Sequence, residues 1–205
     1  MKKNKKLKLK RGKVLVVILL LGFIAFLFFY NSRDKLQVVT TVAEIDNYSY
    51  KMESNATRIY KKYFKELEEE LKDNKVDEEN YASLVSKLFV IDYYTLNNKI
   101  TNKDIGGVQF IHSNLETDFI QKSSNTIYKY VKSNLYGNRK QQLPEVNNVE
   151  IKSIKEINYK NNSYQDNHGY QVEVNISYVT DYDYPKEVIL TLIHEENKLV
   201  IVEIK

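Results

Sequence analysis

The amino terminus carries a block of positive charge followed directly by a long uncharged segment. Eight of the first thirteen residues are Lys or Arg, and the seventeen residues 14–30 contain no charged side chain. At about 1.5 Å per residue, such a helix just crosses a hydrocarbon core of about 30 Å if flanking side chains reach toward the headgroups. Because basic flanks stay in the cytoplasm, the pattern predicts a basic cytoplasmic tail at 1–13, a transmembrane anchor at 14–30 and an extracytoplasmic remainder.

A cleaved secretory signal is the alternative interpretation of this segment. Its apolar region would be shorter and would end in small residues at the cleavage site. Here the apolar run ends in Phe28, Phe29 and Tyr30, and the polar residues 31–33 follow. A lipoprotein signal is excluded, because the chain has no cysteine to acylate. We therefore expect an uncleaved anchor and a single-pass protein of the cell membrane.

The net charge of +4 hides two oppositely charged parts. Removing the eight N-terminal cations from the 31 Lys and Arg leaves 23 against 27 Asp and Glu, so the remainder has a net charge of about −4. A nucleic-acid-binding surface is therefore not expected there, and the basic tail is expected to contact lipid headgroups. Abundant Lys, Asn, Ile and Tyr without Trp is typical of an AT-rich bacterial genome.

Three helices are predicted in the first half of the outer region. Apolar side chains recur at helical spacing from Tyr60 to Leu71, from Tyr81 to Leu96 and from Leu115 to Leu135. Asp77 suits the N-cap of the second helix, and Gly137 suits the end of the third. The apolar positions of the first helix form one stripe, so this helix is expected to bury a single face.

Beyond Leu143 and Pro144 the hydrophobic period changes from 3.6 to 2. Four antiparallel strands are expected, at 149–159, 170–178, 188–194 and 199–204, with residues 195–198 as a hairpin turn. Helices followed by strands indicate an α+β fold. The predicted domain covers 54–205, after a connector at 31–53, with about three helices on the concave face of a curved four-stranded sheet in a cone-like shape.

Few residues in the chain suggest chemistry. The sequence has no phosphate-binding glycine loop, no nucleophile elbow and no closely spaced metal ligands, so no catalytic, cofactor or metal site is expected. Asp92 and His112 are the candidate pocket residues, because each lies on or beside an apolar segment. A buried carboxylate near a histidine can act as a general base. Alternatively, Asp92 simply faces outward from its helix.

The order of elements resembles a known group of proteins. A basic tail, one membrane span, a helical first half and a four-stranded second half are similar to the membrane-anchored assembly factor of type IV secretion and conjugation systems. The resemblance implies an outer domain of the nuclear-transport-factor-2-like fold that acts as a non-enzymatic scaffold. It extends from Lys2 to Lys205 as an order of elements without a shared motif, so no functional residue is carried over. Gram-positive relatives often have two such domains, whereas this chain has room for one.

Three functions remain open from the sequence. The first is a scaffold in a cell-envelope assembly, with lipids, other envelope proteins and further copies of itself as partners. The second is a ligand-binding or sensory domain, which needs an apolar cavity of about a few hundred Å³. The third is an isomerase-like enzyme with Asp92 or His112 as base. If a surface mediates assembly, the first candidates are the exposed strand face between Gly169 and His194 and, if its helix is incompletely covered, the Tyr60 to Leu71 stripe.

Overall fold

The computed structural model of the protein contains two compact units, residues 1–36 and 37–205. It describes residues 16, 18–24, 26, 36–72 and 75–205. In the first unit, residues 16, 18–24 and 26 are helical and exposed. In the described part of the chain, no helix combines the length and the apolar character that crossing a membrane requires. The predicted tail at 1–13 and much of the predicted anchor at 14–30 lie outside the described residues.

The second unit has an α+β fold. Its described residues form, in chain order, β1 (Thr41–Ile45), β2 (Tyr50–Glu53), α1 (Arg58–Glu70), α2 (Glu78–Tyr94), α3 (Glu116–Asn125), β3 (Val146–Lys160), β4 (Gln165–Tyr178), β5 (Glu187–Glu195) and β6 (Lys198–Ile204). Short 3-10 turns at Val108–Phe110 and Ser113–Leu115 precede α3. The predicted α+β class and the four-stranded antiparallel sheet are confirmed.

The large sheet is an antiparallel meander in the order β3-β4-β5-β6. Along β4, Val172, Val174 and Ile176 are buried while Asn175 and Ser177 are exposed, which is the alternation of a strand with one face on the core. A two-residue turn joins β5 to β6, and Glu196 in this turn has φ 56°. The period-2 pattern in the sequence therefore located the strands correctly.

Helix α2 lies at the centre of the domain. It packs against α1 and against β3, β4 and β6, and it is buried along nearly its whole length. Helix α1 covers α2 with its one apolar stripe, which includes Tyr60, Phe64 and Leu67. Asp77 caps α2 as predicted, because its Oδ1 accepts hydrogen bonds from the backbone N–H groups of Glu79 and Asn80 at 3.1 Å each.

The third helix is shorter than predicted. It ends at Asn125 rather than near Gly137, and the chain then makes turns. Asn125 Nδ2 and Thr126 Oγ1 donate to the carbonyls of Gln121 and Lys122 at 2.9 and 2.8 Å. Short polar side chains of this kind compete with the helical backbone for its hydrogen bonds. The helix therefore stops at a polar run that the apolar spacing on either side had concealed.

The predicted connector at 31–53 includes the β1-β2 hairpin, so the second unit begins before residue 54. Asn47 and Ser49 in its turn have φ of 68° and 53°, a conformation that Asn in particular tolerates. Tyr50 anchors the hairpin in the core: it is 0% exposed, and its hydroxyl donates to the carbonyl of Leu199 at 3.0 Å. This contact joins β2 to the outer edge of β6.

Candidate functional site

A solvent-open cleft of about 310 Å³ lies between the β2 to α1 connection and the loop at residues 104–109. Most of the side chains that line it carry hydroxyl, amide or charged groups, but more of its surface is apolar than polar. The charged residues that line it are Lys51, Glu53, Asp92, Lys99 and Asp104. Asp92 is the one sequence-predicted candidate among them. The cleft is therefore a site for polar and ionic contacts.

Asp92 and Lys99 form an ion pair at the inner wall of the cleft. Lys99 Nζ lies 2.6 Å from Asp92 Oδ1, and the two side chains are 2% and 24% exposed. The other carboxylate oxygen, Oδ2, accepts the backbone N–H of Gly107 at 2.7 Å. Asp92 thus faces into the protein, because α2 is covered on nearly all sides. Both of its oxygens are engaged by partners within the domain.

The charge on Lys99 is maintained by its neighbours. Burial removes water from the ammonium group and lowers the pKa of Lys99, but the carboxylates of Asp92, Asp104 and Glu53 raise that pKa by more. The net result is a pKa of Lys99 above its ordinary value of 10.5. Lys99 therefore stays protonated at neutral pH, and its amine has no free lone pair to act as a base or a nucleophile.

The glycine pair at 106–107 allows this close arrangement. A Cβ on Gly106 would lie 2.2 Å from the carbonyl oxygen of Asp92 and 2.7 Å from Lys99 Nζ, so no side chain fits there. The Gly106 N–H donates to the hydroxyl of Tyr128 at 3.0 Å, and this hydroxyl donates to the carbonyl of Tyr93 at 2.7 Å. The loop is thus fixed against the C-terminal turn of α2.

Glu53 lies at the mouth of the cleft and is exposed. Its carboxylate makes no hydrogen bond or ion pair with any other residue that the structure describes. Partial loss of water, and then the negative charges of Asp104 and Asp92, raise the pKa of Glu53 above its ordinary value, and the positive charge of Lys99 lowers it by less. Negative charge therefore exceeds positive charge around this carboxylate. A ligand with a cationic group would complement it.

Gln109 forms another wall and was not singled out from the sequence. Its side-chain oxygen accepts the backbone N–H of Lys51 at 2.7 Å, and its Nε2 donates to the carbonyl of Lys51 at 2.9 Å. Nε2 also donates to the hydroxyl of Tyr60 at 3.0 Å. The amide therefore pairs with β2 as a neighbouring strand would. A lone Gln in an apolar segment gives no sequence signal for this role.

His112 lies outside the lining of the cleft. Its Nδ1 accepts the backbone N–H of Asn114 at 3.2 Å, and its ring centroid lies 4.2 Å from that of Tyr164. Its backbone N–H donates to the carbonyl of Ile201 at 3.0 Å, which extends the edge of β6. The structure therefore does not bring Asp92 and His112 together, and His112 caps the short turn before α3.

His112 Nδ1 lies 3.4 Å from Glu195 Oε1. The other two histidines also face carboxylates. His194 Nδ1 lies 2.8 Å from Asp166 and Nε2 lies 3.3 Å from Glu78. His168 Nδ1 lies 2.5 Å from Glu156 on the surface. Within the described ranges, no group of three or more His, Cys, Asp or Glu side chains is arranged to hold a metal ion.

The two candidate interaction surfaces differ in their exposure. The stripe from Tyr60 to Leu71 is covered by the core, with Leu67 0% exposed. On the outer strand face, Lys152 Nζ bridges Glu173 at 3.5 Å and Glu187 at 2.5 Å. That face therefore carries paired charges at this point rather than an apolar patch.

Comparison with known proteins returns no relative. No protein-family model matches the sequence, and no curated protein or solved structure matches it either. In the cleft, the geometry provides ionic and hydrogen-bonding contacts around an ion pair whose groups are already engaged with each other.

Proposed function

We propose that this chain is a single-pass membrane protein whose residue 37–205 domain lies outside the cytoplasm and acts as a non-enzymatic scaffold. Its partners are other components of a cell-envelope assembly, such as a secretion or conjugation apparatus, and further copies of itself. The observation that carries the topology is the block of eight cations directly before seventeen uncharged residues. The helical state of residues 16, 18–24 and 26 is compatible with it.

The state of the cleft supports a non-enzymatic role. A general base needs a free lone pair within reach of a substrate proton. Asp92 already holds Lys99 and the Gly107 N–H, and Lys99 holds its proton. His112, the other candidate base, lies outside the lining of the cleft. The groups that sequence reasoning offered for catalysis are therefore better suited to hold the domain together.

The order of elements supports the scaffold assignment. Helices α1 to α3 precede the β3-β4-β5-β6 meander, as the resemblance to secretion-system assembly factors implies. A cone-like domain of this type would present its surfaces to neighbouring envelope proteins. Fold alone does not decide function, so a direct test of location and partners is needed.

The test combines membrane extraction, protease accessibility and crosslinking on the full chain. We expect the protein to stay in the membrane pellet after an alkaline wash, and added protease to digest the domain only from the extracytoplasmic side. Crosslinking in native membranes should recover further copies or other envelope proteins. Release by the alkaline wash would refute the anchor, and a monomer without crosslinked partners would refute the scaffold.

A matched pair of variants makes the extraction test specific. Replacing Leu20 with Arg places a charge in the middle of the apolar run, at a cost of about 2.5–3.5 kcal/mol for an inserted helix. Replacing Leu20 with Val keeps the run apolar. We expect the first variant to be depleted from the pellet and the second to behave as the natural chain does.

Ligand binding is a second candidate, favoured by the volume and charge of the cleft. The cavity combines apolar surface with charged side chains, which suits a small ligand that carries an ammonium or guanidinium group. Glu53 is the free carboxylate for such a group. Calorimetric titration with small amines should show saturable binding that Glu53→Gln weakens severalfold. Absence of saturable heat with such amines would remove this candidate.

A further inference from the structure

One segment of the outer domain has a charge opposite to the rest. Residues 119–144 contain five Lys or Arg and no Asp or Glu. The remainder of the chain after residue 13 contains 18 Lys or Arg against 27 Asp or Glu. The acid-free segment therefore forms a local positive region on an otherwise acidic domain. Charge segregation of this kind points to an anionic partner.

The central part of this segment, residues 129–141, is an ordered loop, which we name the basic–aromatic loop. Gln141 closes it: its Oε1 accepts the backbone N–H of Lys132 at 2.8 Å and its Nε2 donates to the carbonyl of Tyr130 at 2.9 Å. Arg139 ties it to the segment that follows α2, because the guanidinium donates to the carbonyls of Lys99 and Asn97 at 2.8 and 2.7 Å. These hydrogen bonds hold the loop in a defined conformation.

The side chains on this surface are exposed, and Lys129 Nζ lies 5.2 Å from the centroid of the Tyr130 ring. Lys129, Lys132 and Lys140 are exposed, and none forms an ion pair with another residue in the described part of the chain. Beside them Tyr130 is 74% and Tyr136 50% exposed. Exposed tyrosines among exposed lysines are the combination found where proteins meet a bilayer surface, since the rings sit at headgroup level and the ammonium groups contact phosphates.

The loop also lies where the chain enters the second unit. The backbone N–H of Gln37 donates to the carbonyl of Leu135 at 2.7 Å, and the adjacent Val38 is 74% exposed. Gln37 is the seventh residue after Tyr30. Seven residues span at most about 25 Å when fully extended. If the anchor ends at Tyr30, Gln37, which is hydrogen-bonded to the loop, lies within about 25 Å of the membrane surface.

We propose that the basic–aromatic loop rests on anionic phospholipid headgroups at the membrane face from which the domain emerges. This inference rests on the proposed membrane anchor and adds a second, electrostatic contact to it. Lys129, Lys132 and Lys140 contact the phosphates, and Tyr130 and Tyr136 enter the interface. Together they fix which side of the domain faces the bilayer.

The chain has no Trp, so a single introduced Trp reports on its own surroundings. The full chain carrying Tyr136→Trp is reconstituted in vesicles of phosphatidylcholine and phosphatidylglycerol with brominated acyl chains. We expect blue-shifted emission and severalfold quenching. The control is His168→Trp, at an exposed surface position near the N-terminal end of α2, whereas the loop contacts the segment that follows the C-terminal end of that helix. Its emission should stay red-shifted and unquenched.

A second set of variants tests whether the lysines contribute to this contact. Replacing Lys129, Lys132 and Lys140 together with Gln in the Tyr136→Trp background should reduce quenching to the level seen in pure phosphatidylcholine vesicles. The matched control replaces Lys61, Lys62 and Lys65, which are exposed on α1, and should leave quenching unchanged. Equal quenching in neutral and anionic vesicles would overturn the inference.

The outcomes separate this inference from the anchor. If the chain stays in the alkaline pellet but Tyr136→Trp is quenched no more than His168→Trp, the anchor stands and the inference fails. If the chain is released by alkali yet binds anionic vesicles through the three lysines, the anchor fails and only the contact of the loop with anionic lipid stands. If replacing the three lysines with Gln abolishes binding of an oligonucleotide but leaves the contact with vesicles unchanged, the surface binds nucleic acid and the inference is overturned.

Discussion

The cleft and the basic–aromatic loop meet at Lys99, and they differ in the surroundings that they give to lysine side chains. Lys99 sends its side chain into the cleft, where it is buried against Asp92, while its carbonyl accepts a hydrogen bond from Arg139 of the loop. Lys132 and Lys140 of the loop are exposed. A count of charges in the sequence weighs these residues equally. The surroundings of Lys99 assign it to stability, whereas the exposure of Lys132 and Lys140 fits the proposed contact with lipid.

The physical basis of this difference is desolvation. An ammonium group removed from water needs a carboxylate partner, and losing that partner leaves a charge uncompensated. An exposed ammonium group keeps its water and contributes little to folding. Substitutions in the cleft should therefore change the free energy of unfolding, and substitutions in the loop should change contact with lipid. The predictions below test this division.

The largest effect is expected for Lys99→Met. It leaves the Asp92 carboxylate inside the protein without its cation, a loss that typically costs about 3–5 kcal/mol. The free energy of unfolding of residues 37–205, which contain the whole described core, is measured in urea by the tyrosine signal. Lys132→Met in the loop is the matched control, with a change within about 0.5 kcal/mol.

The double variant with Asp92→Asn and Lys99→Met checks the cause. It removes both charges and keeps an oxygen to accept the Gly107 N–H, so it should be more stable than Lys99→Met alone. If Lys99→Met and Lys132→Met changed stability equally, the buried ion pair would not distinguish the cleft from the loop.

The next effect compares a glycine from each region. Gly106→Ala forces a Cβ to within 2.2 Å of the Asp92 carbonyl oxygen, which is helix backbone and cannot move aside. Overpacking of this kind costs about 1–3 kcal/mol. Gly137→Ala in the loop meets the end of the Gln37 side chain, which can rotate, so it adds only the strain of φ +69°, about 1 kcal/mol. Urea unfolding should rank Gly106→Ala as the more damaging change, and the reverse order would place the tighter constraint in the loop.

The fold could be predicted wherever its signal is local. The alternation in β4 and the cap at Asp77 are read over a few residues, because side-chain period and capping follow from backbone geometry. The stop of α3 at Asn125 was equally local, but the apolar residues beyond it suggested a continuous helix. The β1-β2 hairpin was missed because its strands are short and its burial depends on Tyr50 meeting β6.

The site was less predictable because it depends on contacts across the fold. Asp92 was a candidate on the basis of its apolar neighbours, but nothing in the polar run at 97–99 marks Lys99 as buried. The ion pair forms only after α2 ends and the chain turns back on it. Gln109 takes its role from β2, which is 58 residues away. The partner of His112 in sequence reasoning was Asp92, whereas the fold places Tyr164 beside it.

The smallest effect is expected for Glu53→Gln, and its sign is informative. The pKa of Glu53 is raised above its ordinary value of 4.5 by partial loss of water and by Asp104 and Asp92. Between the unfolded and folded pKa values the folded state binds more protons, so this group lowers stability as pH rises through that window. The variant should be slightly more stable than the natural chain at neutral pH, and the difference should vanish once pH falls below 4.5.

An exposed carboxylate on α1 provides the contrast for this test. Glu69 lies 3.8 Å from Lys65 in a surface i,i+4 pair, so Glu69→Gln should lower stability slightly at neutral pH. The two substitutions remove the same charge and should act in opposite directions. If Glu53→Gln also lowered stability, the mouth of the cleft would be balanced by cations. It would then lack the excess negative charge that distinguishes it from the loop and that a cationic ligand requires.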